Sequence, residues 1–318
     1  MKARRLISIA APAFNEEENL TPFCTAVSGV MSRLGYDYEI VIAENGSTDR
    51  SLQILKELRT ADKRIRFVSL TRNFGHQGGI LAALSYSRGD AVVTMDADLQ
   101  HPPEFIPKLI AEWEKGFKIV NSIKEGVRKG LVRRWLDHAF YYTMDRLANL
   151  QLGQADFRLL DRQVVDRLLA FPEADKFLRG LISWMGFRQT TIPYRVGDRI
   201  HGETKFGRHH LIDFALHGIT SFSSAPLRLL MKFGLLLFVP SALFLLYTIG
   251  AVVWNMARPG RSALPPGWAT LSVTVTFFGA VQLLAISVVG EYVGRIYTEI
   301  KRRPGFLVEE TAEGDEPS

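Results

Sequence analysis

The chain has 318 residues and a net charge of +6, and 47% of its residues are hydrophobic. Its only cysteine, Cys24, excludes an intrachain disulfide and is predicted to be a small core residue of a protein from a reducing compartment. The pI near 9.4 does not indicate nucleic-acid binding, because no basic face with interleaved stacking aromatics is present.

The first half of the chain alternates short apolar runs with helical patterns. Strands are predicted over residues 6–11, 38–43, 65–70 and 91–95, with helices after residue 15, near 51–59 and near 77–87. Asn15 is expected to cap the first helix, whose first turn would hold Glu16, Glu17 and Glu18. This alternation predicts an α/β fold with a parallel sheet that carries helices on both faces.

Polar residues follow three of these strands. They are the segments Pro12–Glu16, Glu44–Ser47 and Asp96–Asp98. Ligands of open α/β sheets bind beyond the carboxyl ends of the strands, so we expect the three segments to line one nucleotide pocket. Asp96 and Asp98 offer the hard oxygen ligands that Mg²⁺ combines with substrate phosphates. The chain lacks G-x-G-x-x-G after the first strand and G-x-x-x-x-G-K-[ST] anywhere, which argues against a dinucleotide oxidoreductase and a P-loop enzyme.

The second half of the chain contains two uncharged apolar stretches, residues 233–254 and 269–290. As a helix, each would extend about 33 Å, which is enough to cross the hydrocarbon core of a membrane. They are predicted to form a two-helix transmembrane hairpin. The amphipathic segment 206–232 predicts interfacial helices before the hairpin, and the acidic end of the chain from Val308 is predicted to be disordered.

Basic residues beside the two spans predict the topology. Arg228, Lys232, Arg295, Lys301, Arg302 and Arg303 flank the spans, whereas the loop between them holds only Arg258 and Arg261. The positive-inside rule therefore places both termini in the cytoplasm and the loop 255–268 outside. The predicted organisation is a cytoplasmic domain over 1–205, interfacial helices over 206–232, spans over 233–290 and a basic, then acidic, cytoplasmic tail over 291–318. The protein is expected in the inner membrane of the cell.

Five motifs, in this order, resemble those of the family 2 glycosyltransferases, which have the GT-A fold. They are P-A-F-N-E-E-E-N-L, E-N-G-S-T-D, R-N-F-G-H-Q, M-D-A-D-L-Q-H-P-P-E and D-F-R-L-L-D-R. The likeness extends over about residues 5–300 and is greatest to the polyisoprenyl-phosphate glycosyltransferases, which include dolichol-phosphate mannose synthase and the bactoprenol glucosyltransferases. It implies a Rossmann-like, mostly parallel sheet with a C-terminal transmembrane hairpin.

The resemblance also implies a role for each matching residue. Pro12, Asn15, Glu16, Glu44, Asn45, Asp96 and Gln100 would bind the nucleotide sugar, Asp96 and Asp98 would hold Mg²⁺ or Mn²⁺, and Arg199 and Lys205 would bind the acceptor phosphate. Asp156 would act with Asp96 and Asp98 in catalysis, near the acceptor. Asn45 departs from the family pattern, which is usually acidic there, and this leaves UDP and GDP open as nucleotides. Even with the other motifs present, Asp156 is equally well explained as a salt-bridge partner of Arg158 or Arg162.

The reaction implied is inverting transfer of a hexose from a nucleotide-diphosphate sugar to polyprenyl (undecaprenyl) phosphate, with a UDP-sugar as the expected donor. Glucose is the expected sugar, although mannose, N-acetylhexosamine and an aminoarabinose derivative need only small changes in pocket shape. A phosphate monoester has a second pKa of about 6, so the acceptor needs no strong base. Asp156 would then position the acceptor or stabilise positive charge at the anomeric carbon. The product would serve cell-envelope glycosylation. A flippase, a second glycosyltransferase and a further copy of the chain are the protein partners left open.

Two other functions fit parts of the pattern. A processive polysaccharide synthase typically carries Q-x-x-R-W and more spans, but here Leu131, not Gln, precedes Arg134-Trp135. A non-catalytic membrane adaptor that binds nucleotide sugars is disfavoured by the intact D-x-D. A catalytic zinc site is not expected, because the histidines show no ligand spacing with cysteine.

Overall fold

An eight-stranded mixed sheet is the centre of the larger of two units into which the chain divides, residues 1–218 with 302–318. The computed structural model describes residues 5–125, 156–173, 176–195 and 267–312, and four single residues, Leu236, Leu243, Tyr247 and Trp254. The strands are β1 Leu6–Ala13, β2 Asp37–Glu44, β3 Ile65–Leu70, β4 Ala91–Thr94, β5 Ile119–Glu125, β6 Arg158–Asp161, β7 Gln189–Arg195 and β8 Val308–Thr311. Their order across the sheet is β7-β5-β6-β4-β1-β2-β3-β8.

The four central strands are parallel, as the alternating pattern predicts. β1 pairs with β2 and with β4, and β2 pairs with β3, all in parallel. β6 and β8 are antiparallel to their neighbours β4 and β3. The helices are α1 Leu20–Met31, α2 Ser51–Ala61, α3 Gly75–Ser85, α4 Ile106–Glu114, α5 Arg162–Leu169, α6 Leu178–Trp184 and α7 Trp268–Lys301. The α/β fold with a parallel core that the sequence predicts is thus confirmed, within a sheet that is mixed overall.

The core follows the two-residue period of β1. Ile7, Ile9 and Ala11 are buried in a hydrophobic cluster that also contains Phe23 of α1 and Leu109 of α4. Cys24 is buried in the same cluster, as predicted. The parallel strands are buried along almost their whole length, which explains why they read as continuous apolar runs.

Two local predictions are wrong. Asn15 does not cap the first helix: α1 begins only at Leu20, and Asn15 instead adopts a left-handed conformation with φ 53°. Nor is the acidic end of the chain disordered throughout, because Val308–Thr311 form β8 on the outer edge of β3. An exposed strand edge carries unpaired backbone groups, and β8 satisfies those of β3. Tertiary pairing therefore orders a segment whose composition alone favours disorder.

The second unit comprises residues 219–301. Within the described part of it, one helix is long and apolar enough to cross a membrane, Phe277–Lys301 within α7. α7 continues beyond Gly290, where the predicted span ends, and its Glu291 and Arg295 form an i,i+4 ion pair at 3.1 Å. Leu236, Leu243, Tyr247 and Trp254, from the first predicted span, are helical with exposed side chains. The hairpin and the domain boundaries stay predictions, and the segment 206–232, Arg199 and Lys205 lie outside the described residues.

Candidate active site

The D-x-D motif follows the carboxyl end of β4, and hydrogen bonds from backbone N–H groups hold its conformation. The Asp96 N–H donates to Nδ1 of His101 at 2.9 Å, and the Gln100 N–H donates to Oδ1 of Asp98 at 3.1 Å. Leu99 between them has φ 60°, a conformation that is costly for a branched side chain and that occurs preferentially where function requires it. Its side chain packs against the hydrophobic cluster, which helps to hold this turn.

His101 holds the D-x-D in place from within the core and is not exposed to the pocket. It is 3% exposed and stacks on Phe157, with ring centroids 4.9 Å apart. Burial lowers its pKa, and its Nδ1 accepts the Asp96 N–H, so the ring is neutral with its proton on Nε2.

The turn after β1 is tied to the turn after β2. The Asn15 N–H donates to Ser47 Oγ at 3.0 Å, and Oδ1 of Asn15 accepts the Thr48 N–H at 2.9 Å. The Glu16 N–H donates to Ser51 Oγ at 3.0 Å, while its carboxylate accepts from the Asn19 amide at 2.6 Å. Both segments therefore meet at one edge of the sheet, as predicted, and they hold each other in place.

Glu44 and Asn45 are buried and bonded to protein. The Glu44 carboxylate accepts the Ser47 N–H at 2.5 Å and the Ser69 hydroxyl at 2.6 Å. The Asn45 amide accepts the Phe74 N–H at 2.9 Å and donates to Gly75 O at 3.0 Å. In this structure the two side chains shape the loops that follow β2 and β3.

Glycines allow these loops to approach closely. Gly46 has φ 69°, and a Cβ there would lie 2.5 Å from the carbonyl carbon of Arg72. A Cβ on Gly79 of α3 would lie 2.8 Å from the Cβ of Pro12, so α3 sits directly on the end of β1. The loop Arg72–Gly75 thus reaches the pocket and delivers His76 at the start of α3.

His76 links the two acidic parts of the site. Its Nε2 donates to Oδ1 of Asp96 at 2.9 Å, and its Nδ1 lies 3.9 Å from Oδ2 of Asp156. Burial acts to lower the pKa of His76, but the hydrogen bond to Asp96 and the charges of both carboxylates outweigh it and raise the pKa. The structure therefore brings Asp96 and Asp156 to one imidazole, although they are far apart in the sequence.

Asp156 is held by two arginines. Arg179 of α6 binds it through two parallel hydrogen bonds, Nε to Oδ1 at 2.8 Å and Nη2 to Oδ2 at 2.5 Å, and Arg158 Nη2 lies 3.6 Å from Oδ1. Burial alone would raise the pKa of Asp156, but Arg179 first and then Arg158 and His76 hold it far below its ordinary value. Burial lowers the pKa of Arg158 to about 10, so both arginines are charged at neutral pH. Asp156 is consequently an ionised carboxylate at neutral pH and a very weak base.

Asp96 and Asp98 fit a divalent cation by their donor chemistry. Both present carboxylate oxygens, the ligand type that Mg²⁺ and Mn²⁺ favour. Within the part of the chain that the structure describes, no group of three or more His, Cys, Asp or Glu side chains could hold a metal by itself. Mg²⁺ in proteins often takes only one or two carboxylates together with oxygens of a substrate phosphate.

Most of the predicted site residues lie at this edge of the sheet. The structure places Pro12, Asn15, Glu16, Glu44, Asn45, Asp96, Asp98, Gln100 and Asp156 there, through the contacts given above; the nucleotide, metal and acceptor roles of these residues stay predictions. The sequence reasoning missed Arg179 and the linking position of His76. His76 lies in the R-N-F-G-H-Q motif, but nothing in that motif indicates that its imidazole reaches Asp96 and Asp156. Arg179 carries no local signal, because only the packing of α6 brings it to Asp156.

The known proteins to which this chain is similar in sequence are named as glycosyltransferases. Residues 8–169 match the family model described as glycosyl transferase family 2. The chain is 36% identical to an uncharacterized glycosyltransferase of Synechocystis sp. over 306 residues, 95% of this chain and 94% of the relative. It is also 36% identical over 314 residues to the SfII prophage-derived bactoprenol glucosyl transferase of Shigella flexneri, covering 97% and 99% of the two chains.

Among solved structures, the chain is similar to the glucosyl-3-phosphoglycerate synthase of Mycobacterium tuberculosis in complex with Mn²⁺, uridine diphosphate and phosphoglyceric acid. That alignment has 23% sequence identity and a TM-score of 0.47, and it covers 69% of this chain and 78% of the synthase.

Proposed function

The chain belongs to glycosyltransferase family 2, and we propose that this glycosyltransferase moves one hexose, with glucose expected, from a UDP-sugar to polyprenyl phosphate. Support for a lipid acceptor comes from the relatives named bactoprenol glucosyl transferase, which match nearly the whole chain. The apolar helix in α7 is consistent with such an acceptor, because an enzyme anchored in the membrane meets lipid substrates at a high local concentration.

The ion pair between Asp156 and Arg179 is the observation that carries the proposal. An acceptor hydroxyl must lose a proton, and that step needs a base with a pKa near the working pH. Asp156 is the acidic residue implied at the acceptor, and Arg179 lowers its pKa far below that range. A phosphate monoester is already ionised near neutral pH and requires no such base. The geometry therefore favours a phosphate acceptor over a hydroxyl acceptor.

The proposed transfer is a single displacement. A phosphate oxygen of the acceptor bonds to the anomeric carbon while the bond from that carbon to the donor diphosphate breaks, so the nucleoside diphosphate leaves with the electron pair and the anomeric centre inverts. Bound by Asp98 and Asp96, Mg²⁺ or Mn²⁺ would supply positive charge at the leaving diphosphate. Asp156, which is negatively charged, would stabilise the positive charge that develops at the anomeric carbon.

The other predicted roles belong to the same proposal. Pro12, Asn15, Glu16, Glu44, Asn45 and Gln100 would surround the nucleotide sugar, and Arg199 and Lys205 would bind the acceptor phosphate. The catalytic domain 1–205 would face the cytoplasm of an inner-membrane protein, with interfacial helices over 206–232, two spans over 233–290 and the tail 291–318 also inside. The product would feed cell-envelope glycosylation.

Product analysis tests the reaction. The purified full-length protein is incubated with UDP-glucose, Mg²⁺ or Mn²⁺ and undecaprenyl phosphate, lipid products are identified by mass, and NMR of the purified product gives its anomeric configuration. We expect undecaprenyl phosphate carrying one hexose in the inverted configuration. A long polymer would instead establish a processive synthase, and glucose transferred to a hydroxyl acceptor but not to the lipid phosphate would overturn the proposal.

A further inference from the structure

A cleft of about 320 Å³ lies in the larger unit, apart from the D-x-D and Asp156. One wall consists of Pro172, Glu173 and Lys176, which precede α6, and the other of residues 302–305, which follow α7. The second wall contacts α3, the helix that carries His76, and α6, which follows the first wall, is hydrogen-bonded to the same helix. The Leu178 N–H donates to Oε1 of Gln77 at 3.1 Å, and a Cβ on Gly78 would lie 3.2 Å from Gly305 O.

The cleft is built for an anionic group. Lys176, Arg302 and Arg303 line it, against one carboxylate, Glu173. Lys176 is held in position, because its Nζ donates to Glu173 O at 2.9 Å. Arg302 has φ 47°, a strained conformation for arginine that turns the chain immediately after α7 and places Arg302 and Arg303 along the cleft. Two adjacent guanidinium groups and an ammonium suit the oxygens of a phosphate.

Glu173 adds a second requirement. Its side chain lines the cleft, and among the described residues its Oε2 accepts no hydrogen bond. A carboxylate without a hydrogen-bond donor is costly to cover, so a ligand that brings an N–H or O–H group to it would be favoured over one that does not. The cleft therefore favours a ligand that carries a hydrogen-bond donor close to its phosphate.

We infer that this cleft binds the headgroup of a membrane phospholipid that joins a phosphodiester to an N–H or O–H donor. The phosphodiester lies against Arg302, Arg303 and Lys176, and the amine or hydroxyl of the headgroup donates to Glu173. A membrane source rests on the proposed membrane function, since Arg302 follows directly on the last residue of the apolar helix. The chemistry of recognition itself is independent of the sugar transferred.

Two pairs of probes distinguish recognition of the headgroup from general binding to the membrane. The full-length protein in detergent is titrated with water-soluble glycerophosphoethanolamine or glycerophosphocholine, and thermal stabilisation gives the dissociation constants. The protein is then placed in phosphatidylcholine nanodiscs with or without phosphatidylethanolamine, and retained lipids are counted by native mass spectrometry. Ethanolamine and choline headgroups share the phosphodiester and the positive charge, but only the ethanolamine has N–H donors.

We expect ethanolamine forms to bind at least about tenfold more tightly than choline forms, the ratio that one hydrogen bond to a charged group provides. Glu173→Gln should reduce this preference, because its amide oxygen accepts only an uncharged and weaker hydrogen bond, and Arg303→Gln or Arg302→Asn should weaken the binding of both headgroups alike. Lys301→Gln is the matched control, because it removes one charge at the neighbouring position and does not line the cleft. Each variant is first checked for an unchanged melting temperature without ligand.

Equal binding of the two headgroups, or a preference unchanged in Glu173→Gln, would overturn the inference. Selective binding of the lipids without binding of the soluble headgroups would also overturn it, because the recognition would then lie in the acyl chains. None of these measurements uses sugar transfer, so an error in the proposed reaction would leave them interpretable.

Discussion

At the scale of single residues, the chemistry of Asp156 is determined by its neighbour Arg179. Both hydrogen bonds of the pair use the planar fork of the guanidinium, which lysine cannot reproduce. The pair keeps the carboxylate ionised and fixes its orientation. It also stabilises the fold: the depressed pKa contributes stability that is present above the unfolded pKa of about 3.9 and is lost as the pH falls below it.

Arg179→Gln should therefore change both the rate and the pH profile. Without Arg179 the pKa of Asp156 rises, although Arg158 and His76 still lower it, and we expect transfer to fall about 100-fold from misplacement of the carboxylate, with the acidic limb of the pH profile displaced to higher pH than in the wild type. In this pH range the wild type should show no acidic limb from Asp156. Initial rates between pH 6 and 8 test this, and Arg162→Gln, an arginine bonded to Gly89 and Ser87 instead, is the control. Parallel pH profiles for both variants would contradict the assignment.

Asp98→Ala tests the proposed metal ligand. Loss of one group that helps to stabilise the leaving diphosphate should lower kcat by about 10³-fold in the presence of Mg²⁺ or Mn²⁺. Asp166→Ala removes a carboxylate that is 61% exposed on α5 and should leave kcat unchanged. Transfer rates with each cation decide the matter, and a fully active Asp98→Ala enzyme would exclude Asp98 as a required ligand.

Glu44 can be tested for structural and binding roles separately. Glu44→Gln retains both of its bonds, since the new amide accepts from Ser47 N–H and donates to Ser69 Oγ, so stability should be unchanged. Glu44→Ala leaves both groups unpaired and should cost about 2 kcal/mol. Thermal unfolding measures this difference. If Glu44 also binds the nucleotide through its charge, Glu44→Gln should weaken UDP binding without lowering the melting temperature; stability lost equally in both variants would contradict the hydrogen-bonding account.

At the scale of elements, loops after successive strands support one another, and the last strand closes the sheet. Asn45 after β2 holds the loop that begins α3, and α3 carries His76 to the D-x-D after β4. The edge of β3 is covered by β8, whose Glu310 forms an ion pair with Lys56 at 2.6 Å. Both partners of this pair are largely exposed, so the backbone pairing rather than the charges should stabilise the edge.

Deleting residues 308–318 should therefore matter more than removing the ion pair. We expect the deletion to cost about 2–3 kcal/mol in lost backbone hydrogen bonds and to promote association through the uncovered edge. Glu310→Gln should change stability by less than about 0.5 kcal/mol. Melting temperatures and size-exclusion profiles of the detergent-solubilised proteins distinguish the two, and a deletion as stable and monodisperse as Glu310→Gln would show that β8 contributes little.

At the scale of the whole molecule, the predicted topology can be tested by thiol labelling. The single native cysteine, Cys24, is buried, so introduced cysteines dominate the signal. Ser262→Cys, in the loop predicted outside, should react with a membrane-impermeant maleimide in intact cells. Ser318→Cys, at the end of the tail, should react only after permeabilisation. The reverse pattern, or equal labelling of both positions, would contradict two spans with cytoplasmic termini.

The sequence by itself determined the parallel core and the position of the D-x-D, because strands buried on both faces appear as continuous apolar runs and their ends carry the polar residues. Family motifs added the class of reaction. Only the tertiary structure decided that Asn15 ties two turns together, that β8 covers the edge of β3, and that His76 and Arg179 reach Asp96 and Asp156. These contacts join residues distant in the chain, and neither local propensity nor hydrophobic period encodes which distant groups will meet. The weak basicity of Asp156 is such a property, since it depends on an arginine that the packing of α6 brings to it.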